Sequence, residues 1–237
     1  FELLKNGAKV VIIGKTRSKV LGTIEELKKI SKEVIGFVCD VKDEKKVKYV
    51  VDDIIKFHKK IDFLINCAGF SNYKEFRDQS LEEIKEIIDT NFLGTVYFCK
   101  HALSFMEKEG RGHIVNVSSI AGKIGLPKFS IYCASKFALV GFSESLYYEL
   151  KKKGIKVSVV CPGAVDTDFY RHESFNDFPH DKRHKKILTA EQVARQIIKI
   201  LNKWKFEVII PRNYKYKIWL KEVLKPFVMG YISRLPR

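Results

Sequence analysis

Six short apolar segments, separated by stretches of helical length, constrain the fold of this chain more than any other feature. They are rich in β-branched residues and lie at 9–14, 33–40, 62–69, 112–119, 154–163 and 205–211. The stretches with the composition of helices lie at 18–32, 43–59, 80–108, 130–154 and 190–203. Continuous apolar runs are typical of strands covered on both faces. The alternation therefore predicts a single α/β domain built on a doubly wound parallel sheet.

Chain length and charge narrow the classes of protein further. The 237 residues suit one domain over 1–212, followed by a basic amphipathic tail over 213–237. The formal net charge is +16, but the lysines are spread along the chain, without a base-stacking or helix-turn-helix pattern beside them. We therefore expect solvated basic faces and no nucleic-acid partner. Every apolar run is shorter than the about 20 residues that a membrane-spanning helix needs.

The cysteine and histidine residues show no metal-ligand spacing. The five cysteines lie in apolar contexts without a CxxC pair, at Cys39, Cys67, Cys99, Cys133 and Cys161. These contexts predict buried free thiols in a reducing cytoplasm, and we expect no bound metal.

Small polar residues gather where the predicted strands end. The endings are Asp40 after the second segment, Asn66 and Gly69 after the third, Ser118 and Ser119 after the fourth, and Pro162 and Gly163 after the fifth. Ligands of a doubly wound sheet bind outside the carboxyl ends of its strands. These endings therefore predict a cofactor cleft along one edge of the sheet.

Tyr132 and Lys136 occupy positions i and i+4 of the predicted helix at 130–154, so their side chains share one face. A phenol with an ordinary pKa of about 10 is a poor acid or base at neutral pH. A neighbouring ammonium group favours the phenolate and moves that pKa toward the working range. The pair alone is a weak signal, but Ser119 stands thirteen residues before Tyr132, at the end of a strand.

Five short motifs carry a resemblance to a known family. They are NCAG (66–69), DTNFLG (89–94), IVNVSS (114–119), YCASK (132–136) and CPGAVDT (161–167). In this order and spacing they resemble the short-chain dehydrogenase/reductase family, with Cys67 in place of the second asparagine of its first turn. The resemblance covers the chain to about residue 212 and implies a Rossmann-type fold that binds a nicotinamide dinucleotide.

The resemblance implies a role for each member of a catalytic tetrad. Tyr132 exchanges a proton with the oxygen of a carbonyl or an alcohol, and Ser119 hydrogen-bonds that oxygen. Lys136 lowers the tyrosine pKa and holds the nicotinamide ribose, while Asn91 positions a water that relays protons. Two alternatives stay open: Asn91 satisfies backbone groups instead, or Ser118 is the hydroxyl that faces the cleft. The thirteen-residue spacing favours Ser119.

The family's first strand and glycine-rich turn have no counterpart in this sequence. The segment FELLKNGAKVVIIG (1–14) resembles the end of the helix after that turn, followed by the second strand. Because the absent strand belongs at the centre of the sheet, we expect roughly 20 residues to precede Phe1 in the natural polypeptide.

The turn after the first predicted strand indicates NADP(H) rather than NAD(H). The family selects NAD with an acidic residue there, whereas this chain has Gly14 followed by Lys15, Thr16 and Arg17. Cations without a carboxylate suit a 2′-phosphate; a solvated basic turn is the alternative. The cofactor-binding residues that the resemblance implies are Gly14, Lys15, Thr16, Arg17, Asp40, Val41, Asn66, Ala68, Gly69, Tyr132, Lys136, Pro162, Gly163, Val165 and Thr167.

The segment Phe169–Lys186 is polar, contains His172, His180 and His184, and lacks helical or strand periodicity. At this length it predicts a functional lid. The mainly apolar residues at 120–129 and the aromatic pair that opens the lid favour a lipophilic substrate.

The tail has two interpretations. Its apolar residues fall at helical spacing, with lysines on another face: Trp219, Leu220, Val223, Leu224, Phe227 and Val228 against Lys217, Lys221 and Lys225. Such a helix packs within the protein or at a subunit contact, or it lies on an anionic membrane surface. The resemblance implies a homodimer or a homotetramer.

Together these features predict an NADP(H)-dependent oxidoreductase. It would transfer a hydride between nicotinamide and a carbonyl or secondary alcohol of a lipophilic substrate. A non-catalytic NADP-binding regulator on the same fold is the alternative, and the intact tetrad argues against it.

Overall fold

The computed structural model describes residues 1–171, 173–176, 178 and 187–224. Its strands are β1 (Val10–Gly14), β2 (Val34–Val38), β3 (Phe63–Asn66), β4 (Gly112–Val117), β5 (Ile155–Pro162), β6 (Val165–Asp166), β7 (Leu188–Thr189) and β8 (Glu207–Ile210). Its α-helices are α1 (Glu2–Lys5), α2 (Arg17–Lys28), α3 (Glu44–His58), α4 (Leu81–Ile88), α5 (Gly94–Glu109), α6 (Ser130–Leu150), α7 (Ala190–Asn202) and α8 (Tyr214–Val223). Within these ranges, no helix combines the length and the apolar character needed to cross a membrane.

The strands pair in parallel throughout the described residues, which confirms the predicted doubly wound α/β class. Strand β1 pairs with β2, while β3, β4, β5 and β8 form a four-stranded sheet in that order. A short third ladder joins β6 to β7. The break between the first two sheets falls where the family resemblance places the strand without a counterpart here. The expected residues before Phe1 stay a prediction.

Helices cover both faces of the two larger sheets and join them. Val11 of β1 and Leu64 of β3 pack in one cluster with α3 and α5, so these two helices bridge the break. On the opposite face, Val115 of β4 and Val160 of β5 pack against α7. Successive side chains of β4 and β5 are buried on both faces of the sheet, which explains why their sequences read as continuous apolar runs.

The predicted helix at 80–108 is interrupted. Helix α4 begins with a reciprocal cap between Ser80 and Glu83, and a single π turn over Asp89–Leu93 separates it from α5. The prediction of one regular helix is wrong here because the π turn inserts an extra residue, a change that hydrophobic periodicity does not reveal. Asn91 lies in this turn and is fully buried.

Four of the five cysteines are buried, as predicted, but Cys67 is exposed. The prediction for Cys67 is wrong because β3 ends at Asn66. Cys67 therefore belongs to the turn at the edge of the sheet, whereas the sequence pattern extended the strand to residue 69.

His113 at the start of β4 is a buried neutral histidine. The Ser158 hydroxyl donates to the Lys205 carbonyl oxygen at 2.6 Å, so it accepts the hydrogen bond from His113 Nε2 at 2.8 Å. A second proton on the ring would bring a charge into the core. Burial, together with the nearby charge of Lys156, lowers the pKa of His113 to about 4.

This lowered pKa predicts a loss of stability in mild acid. Below the ordinary histidine pKa of about 6.5, His113 is protonated in the unfolded chain but stays neutral in the folded chain until the pH approaches its lowered pKa. Between pH 7.5 and pH 5, His113 should therefore lower the free energy of unfolding by about 2 kcal/mol. Urea denaturation at the two pH values should show a smaller loss in His113→Gln than in the original protein. An identical loss in both proteins would contradict the assignment.

Candidate active site

The end of β4 and the start of α6 form the core of the candidate site. The two serines after β4 point in different directions. Ser118 Oγ donates to the Lys136 carbonyl oxygen at 3.0 Å and so faces helix α6. Ser119 Oγ accepts from the Ala121 amide at 3.1 Å and donates to the Pro162 carbonyl oxygen at 3.4 Å, and its hydroxyl is near enough to the Tyr132 phenol to act on the pKa of that phenol. Of the two hydroxyls, Ser119 is therefore the one beside the phenol.

Gly122 lets the turn after Ser119 lie directly on α6. A Cβ atom at this position would stand 2.6 Å from the Lys136 carbonyl oxygen and 2.6 Å from Ser118 Oγ. Since real Cβ atoms do not come this close to other heavy atoms, a larger residue would push the turn and the helix apart. The relative position of Ser119 and Tyr132 depends on this contact.

Tyr132 is held in its protonated form by its surroundings. Its ring centroid lies 5.3 Å from that of Phe169 and 6.0 Å from that of Phe129. Burial among these groups raises the pKa of Tyr132 well above its ordinary value, and the nearby Ser119 hydroxyl only partly opposes the rise. Lys136 is not among the groups that shift the pKa of Tyr132 here, so the predicted lowering of this pKa by Lys136 stays a prediction.

Lys136 is buried behind the tyrosine ring. Its Nζ lies 5.8 Å from the Tyr132 ring centroid and donates to the Val117 carbonyl oxygen at 3.1 Å. Burial lowers the pKa of Lys136 to about 8. A Cβ atom on Gly69 would stand 3.3 Å from this Nζ, so the turn after β3 passes close to the amine. The structure thus brings Lys136 and Gly69 together, and their contact with a cofactor stays a prediction.

Asn91 clamps the turn after β3 onto α6. Its Oδ1 accepts from the Phe70 amide at 2.9 Å, and its Nδ2 donates to the Phe70 carbonyl oxygen at 2.9 Å and to Ser135 Oγ at 3.0 Å. Ser135 in turn donates to the Tyr132 carbonyl oxygen at 2.7 Å. The side chain therefore does satisfy backbone groups, which was the alternative left open by the sequence. Its part in a water relay stays a prediction.

A second buried chain of hydrogen bonds was not predicted. Asn66 Nδ2 donates to Asn116 Oδ1, and Asn116 Nδ2 donates to Ser143 Oγ, each at 2.9 Å. Ser143 then donates to the Leu139 carbonyl oxygen at 2.6 Å. The Asn66 side chain thus points into the protein, where it ties β3 to β4, and not toward the predicted cofactor cleft. The polar residues inside apolar strands were the available signal for this network.

The other predicted cofactor residues line the carboxyl edge of both sheets. At the end of β1 a cavity of about 330 Å³ is lined by Gly14, Lys15, Thr16 and Lys19, among others. Arg17, the first residue of α2, is exposed. Lys19 was missed by sequence reasoning, although its place one turn after Lys15 was a usable signal; its Nζ contacts Asp168 Oδ2 at 3.4 Å. Two lysines at the end of a strand fit the phosphates of a dinucleotide.

The remaining predicted positions flank this edge on either side. Asp40 caps its own turn by accepting from the Lys42 amide at 3.0 Å, and Val41 packs in the α3/α5 cluster. Ala68 and Thr167 are exposed, and Val165 pairs with Leu188 in the short ladder. The Pro162 carbonyl oxygen accepts from Ser119, as described, and the Gly163 amide donates to the Ile210 carbonyl oxygen at 2.7 Å.

Aromatic side chains form a wall on one side of Tyr132. This aromatic wall consists of Tyr73, Phe129, Phe169, Tyr170, Phe175 and Phe178. Four of the six come from the described part of the predicted lid segment, which forms two 3₁₀ turns, Asp168–Arg171 and Glu173–Phe175. His172, His180 and His184 lie outside the described residues, and the lid function of the segment stays a prediction.

Comparisons with known proteins agree on one family. A family model described as short chain dehydrogenase matches residues 1–176. The chain is 30% identical to a 3-ketodihydrosphingosine reductase of Dictyostelium discoideum, in an alignment that covers 99% of this chain and 77% of that protein. It is 31% identical to the ketoacyl reductase HetN of a Nostoc species, covering 89% and 72%. A 3-ketodihydrosphingosine reductase of Bos taurus is 32% identical, with coverage of 84% and 62%.

Solved structures show the same fold. The structure of ElxO with NADP bound has a TM-score of 0.79 and 28% identity, covering 88% of this chain and 89% of that one. A short-chain dehydrogenase/reductase of Burkholderia phymatum in complex with NAD has a TM-score of 0.81 and 23% identity, covering 91% and 84%. At that lower identity the likeness shows the fold alone.

The contact at Gly122 predicts opposite effects for two glycine substitutions. Gly122→Ala should lower the free energy of unfolding by about 2 kcal/mol, because the added methyl group overpacks the turn against α6. Gly141→Ala on α6 is the control, since a Cβ atom there would meet no neighbouring group within 4 Å. It should stabilise the protein by up to about 1 kcal/mol. Urea denaturation measures both, and equal effects would refute the role of Gly122.

Proposed function

The chain belongs to the short-chain dehydrogenase family, and on this premise we propose that it is an NADP(H)-dependent reductase of a 3-keto group on a long alkyl chain. Family membership makes it an oxidoreductase that acts on keto or hydroxyl groups with a nicotinamide dinucleotide. The observation that carries the rest of the proposal is the Ser119–Tyr132 pair beside the aromatic wall.

The protonation state of Tyr132 supports the direction of reduction. Because burial raises the pKa of Tyr132, its phenol holds a proton at neutral pH that it can give to a carbonyl oxygen. The Ser119 hydroxyl, which lies beside the phenol, can donate to the same oxygen and stabilise the negative charge that develops there. The bound dinucleotide supplies the hydride.

Lys136 is placed to stabilise the phenolate that proton transfer leaves behind. With a pKa of about 8, it is still largely protonated at neutral pH. Its charge lies behind the ring, 5.8 Å from the centroid, and favours the ionised phenol. The Asn91–Ser135 hydrogen bonds hold the backbone of Tyr132, so the phenol does not have to be positioned during the reaction.

The turn after β1 supports NADP(H) as the cofactor. Lys15 and Thr16 line the cavity there and Arg17 follows directly, so two positive charges are available for a 2′-phosphate. The similar ElxO structure contains NADP. Gly14 occupies the position where an acidic side chain would bond the ribose of NAD.

The aromatic wall supports a substrate with a long apolar body. It lies against the Tyr132 ring through Phe129 and Phe169, so an alkyl chain attached to the reacting carbonyl can pack along it. Two of the similar proteins are named for 3-ketodihydrosphingosine and a third for ketoacyl groups. The chemistry common to these names is a ketone on a long-chain lipid.

Substitution of the two neighbouring serines tests the proposed catalytic pair. Ser119→Ala should lower kcat about 100-fold with NADPH and a 3-keto long-chain substrate, because a donor to the developing oxyanion is lost. Ser118→Ala removes a hydroxyl from the adjacent position and should leave kcat within a few-fold of the original. Steady-state kinetics by absorbance of NADPH measures both. Equal losses of kcat in the two variants would contradict the assignment of Ser119.

Tyr132→Phe and substrates of different length complete this test. Tyr132→Phe should bind NADPH normally and show no measurable turnover. A 3-keto substrate with a palmitoyl-length chain should have a kcat/KM at least about tenfold higher than an acetoacetyl analogue. If turnover depends on Tyr132 without this preference, the reductase assignment stands and the long-chain substrate does not.

Charge removal tests the choice of cofactor. Lys15→Ala combined with Arg17→Ala should raise the Kd of NADPH at least about tenfold and change that of NADH much less, because only NADPH carries the 2′-phosphate. Lys29→Ala combined with Lys32→Ala removes the same charge from exposed positions at and beyond the other end of α2. Fluorescence titration of both cofactors with the original protein and the two double variants measures the six dissociation constants. A parallel weakening of NADPH and NADH would show that the turn does not select the phosphate.

A further inference from the structure

Helix α8 uses its less apolar side to pack against the domain. Tyr214 and Ile218 join the cluster formed by β5, β8 and α6. Lys221, one turn further, donates from Nζ to the Lys123 carbonyl oxygen at 2.8 Å and lies 5.7 Å from the Phe137 ring centroid. These three residues are at i, i+4 and i+7, so they define one face of the helix.

The opposite face of α8 is an exposed apolar stripe. At 100° per residue, the stripe lies about 160° away from the packed face. It consists of Tyr216, Trp219, Leu220, Val223 and Leu224. Trp219 is 62% exposed and Val223 57% exposed. Of the interpretations left open by the sequence, packing of the stripe within the domain is therefore wrong for its described residues, while Lys225, Phe227 and Val228 lie outside the described residues.

Cationic residues border the stripe on both sides. Lys215 and Lys217 are exposed and lie between the stripe and the packed face, one on each flank. Arg212 is exposed just before the helix. The chain as a whole carries a formal charge of +16. An apolar face that carries a Trp, with lysines at its edges, is the pattern of a helix that lies in the headgroup layer of an anionic membrane.

Helix α8 stands next to the candidate active site. Lys123, which Lys221 contacts, directly follows the 3₁₀ turn Ile120–Gly122 that begins after Ser119. Phe137 directly follows Lys136. The helix thus rests on the two segments that carry the catalytic residues, with its apolar side turned outward.

We propose that the exposed stripe of α8 binds the surface of an anionic lipid bilayer. A second copy of the chain is a poorer occupant, since a ten-residue helix is only about 15 Å long and offers far less than the about 800 Å² per partner of a stable dimer. A bilayer needs no such area, because apolar side chains enter the interface individually while the flanking lysines meet anionic headgroups. Binding at this face does not depend on which ketone the enzyme reduces.

Vesicle co-sedimentation of the purified full chain tests this surface. The vesicles contain phosphatidylcholine alone, or phosphatidylcholine with phosphatidylglycerol. The variant Trp219→Glu with Val223→Glu should bind the anionic vesicles at least about tenfold more weakly than the original protein. Its control is Tyr49→Glu with Phe57→Glu on α3, which changes the charge equally at side chains that are 73% and 67% exposed. The control should bind as the original does, and all three proteins should have the same melting temperature.

Three outcomes would overturn the proposal. The first is that the original protein does not sediment with anionic vesicles. The second is that both double variants lose binding equally, or that neither does, which would assign any binding to general charge. The third is that the original protein self-associates in analytical ultracentrifugation, that the α8 variant is monomeric, and that adding anionic vesicles does not reduce the self-association of the original protein. That result would assign the stripe to a contact between copies of the chain.

Discussion

The hydrogen-bonded chain from Asn66 through Asn116 to Ser143 sets the geometry on which the candidate site depends. It joins β3, β4 and α6, because Asn66 donates to Asn116, Asn116 donates to Ser143, and Ser143 donates to a backbone carbonyl oxygen of α6. All three side chains are buried, so breaking one bond would leave a polar group without water or partner, at a cost of about 1–3 kcal/mol. The strand that leads to Ser119 and the helix that carries Tyr132 are thereby held in one register.

A second network reaches the same helix from another direction. Asn91 fixes the turn at Phe70 and, through Ser135, the backbone of Tyr132 itself. Together the two networks leave α6 little freedom to slide along β4. An acid and an oxyanion donor on different elements can act on one oxygen only if those elements keep their distance, and buried amides supply that rigidity.

The sequence was sufficient for the fold class and for the identity of the serine beside the phenol. Buried parallel strands leave a strong pattern because both faces are apolar, and a fixed spacing between Ser119 and Tyr132 follows from one strand–turn–helix unit. The orientation of the Asn66 side chain could not be predicted from the sequence. A strand-end asparagine can face the cleft or the core, and its partner Asn116 lies far away in the sequence. The same limit applies to α8: periodicity revealed its apolar stripe, but the contacts of Tyr214, Ile218 and Lys221 with the domain are needed to show which side faces outward. The Tyr–Lys pair likewise revealed a charge near the phenol but not the larger effect of burial.

The π turn over Asp89–Leu93 makes the number of residues in this segment as important as their identity. One extra residue changes the phase of a helix by about 100°, so α4 and α5 present differently oriented faces although they are nearly continuous. The side chains of α5 that enter the core, Phe98, Cys99, Ala102 and Met106, all take their direction from that offset. Removal of a single residue here would turn them together toward solvent and rotate the Asn91 clamp away from Phe70. In this part of the chain, a substitution disturbs only the contacts of one side chain, whereas a deletion or an insertion changes the orientation of a whole helix.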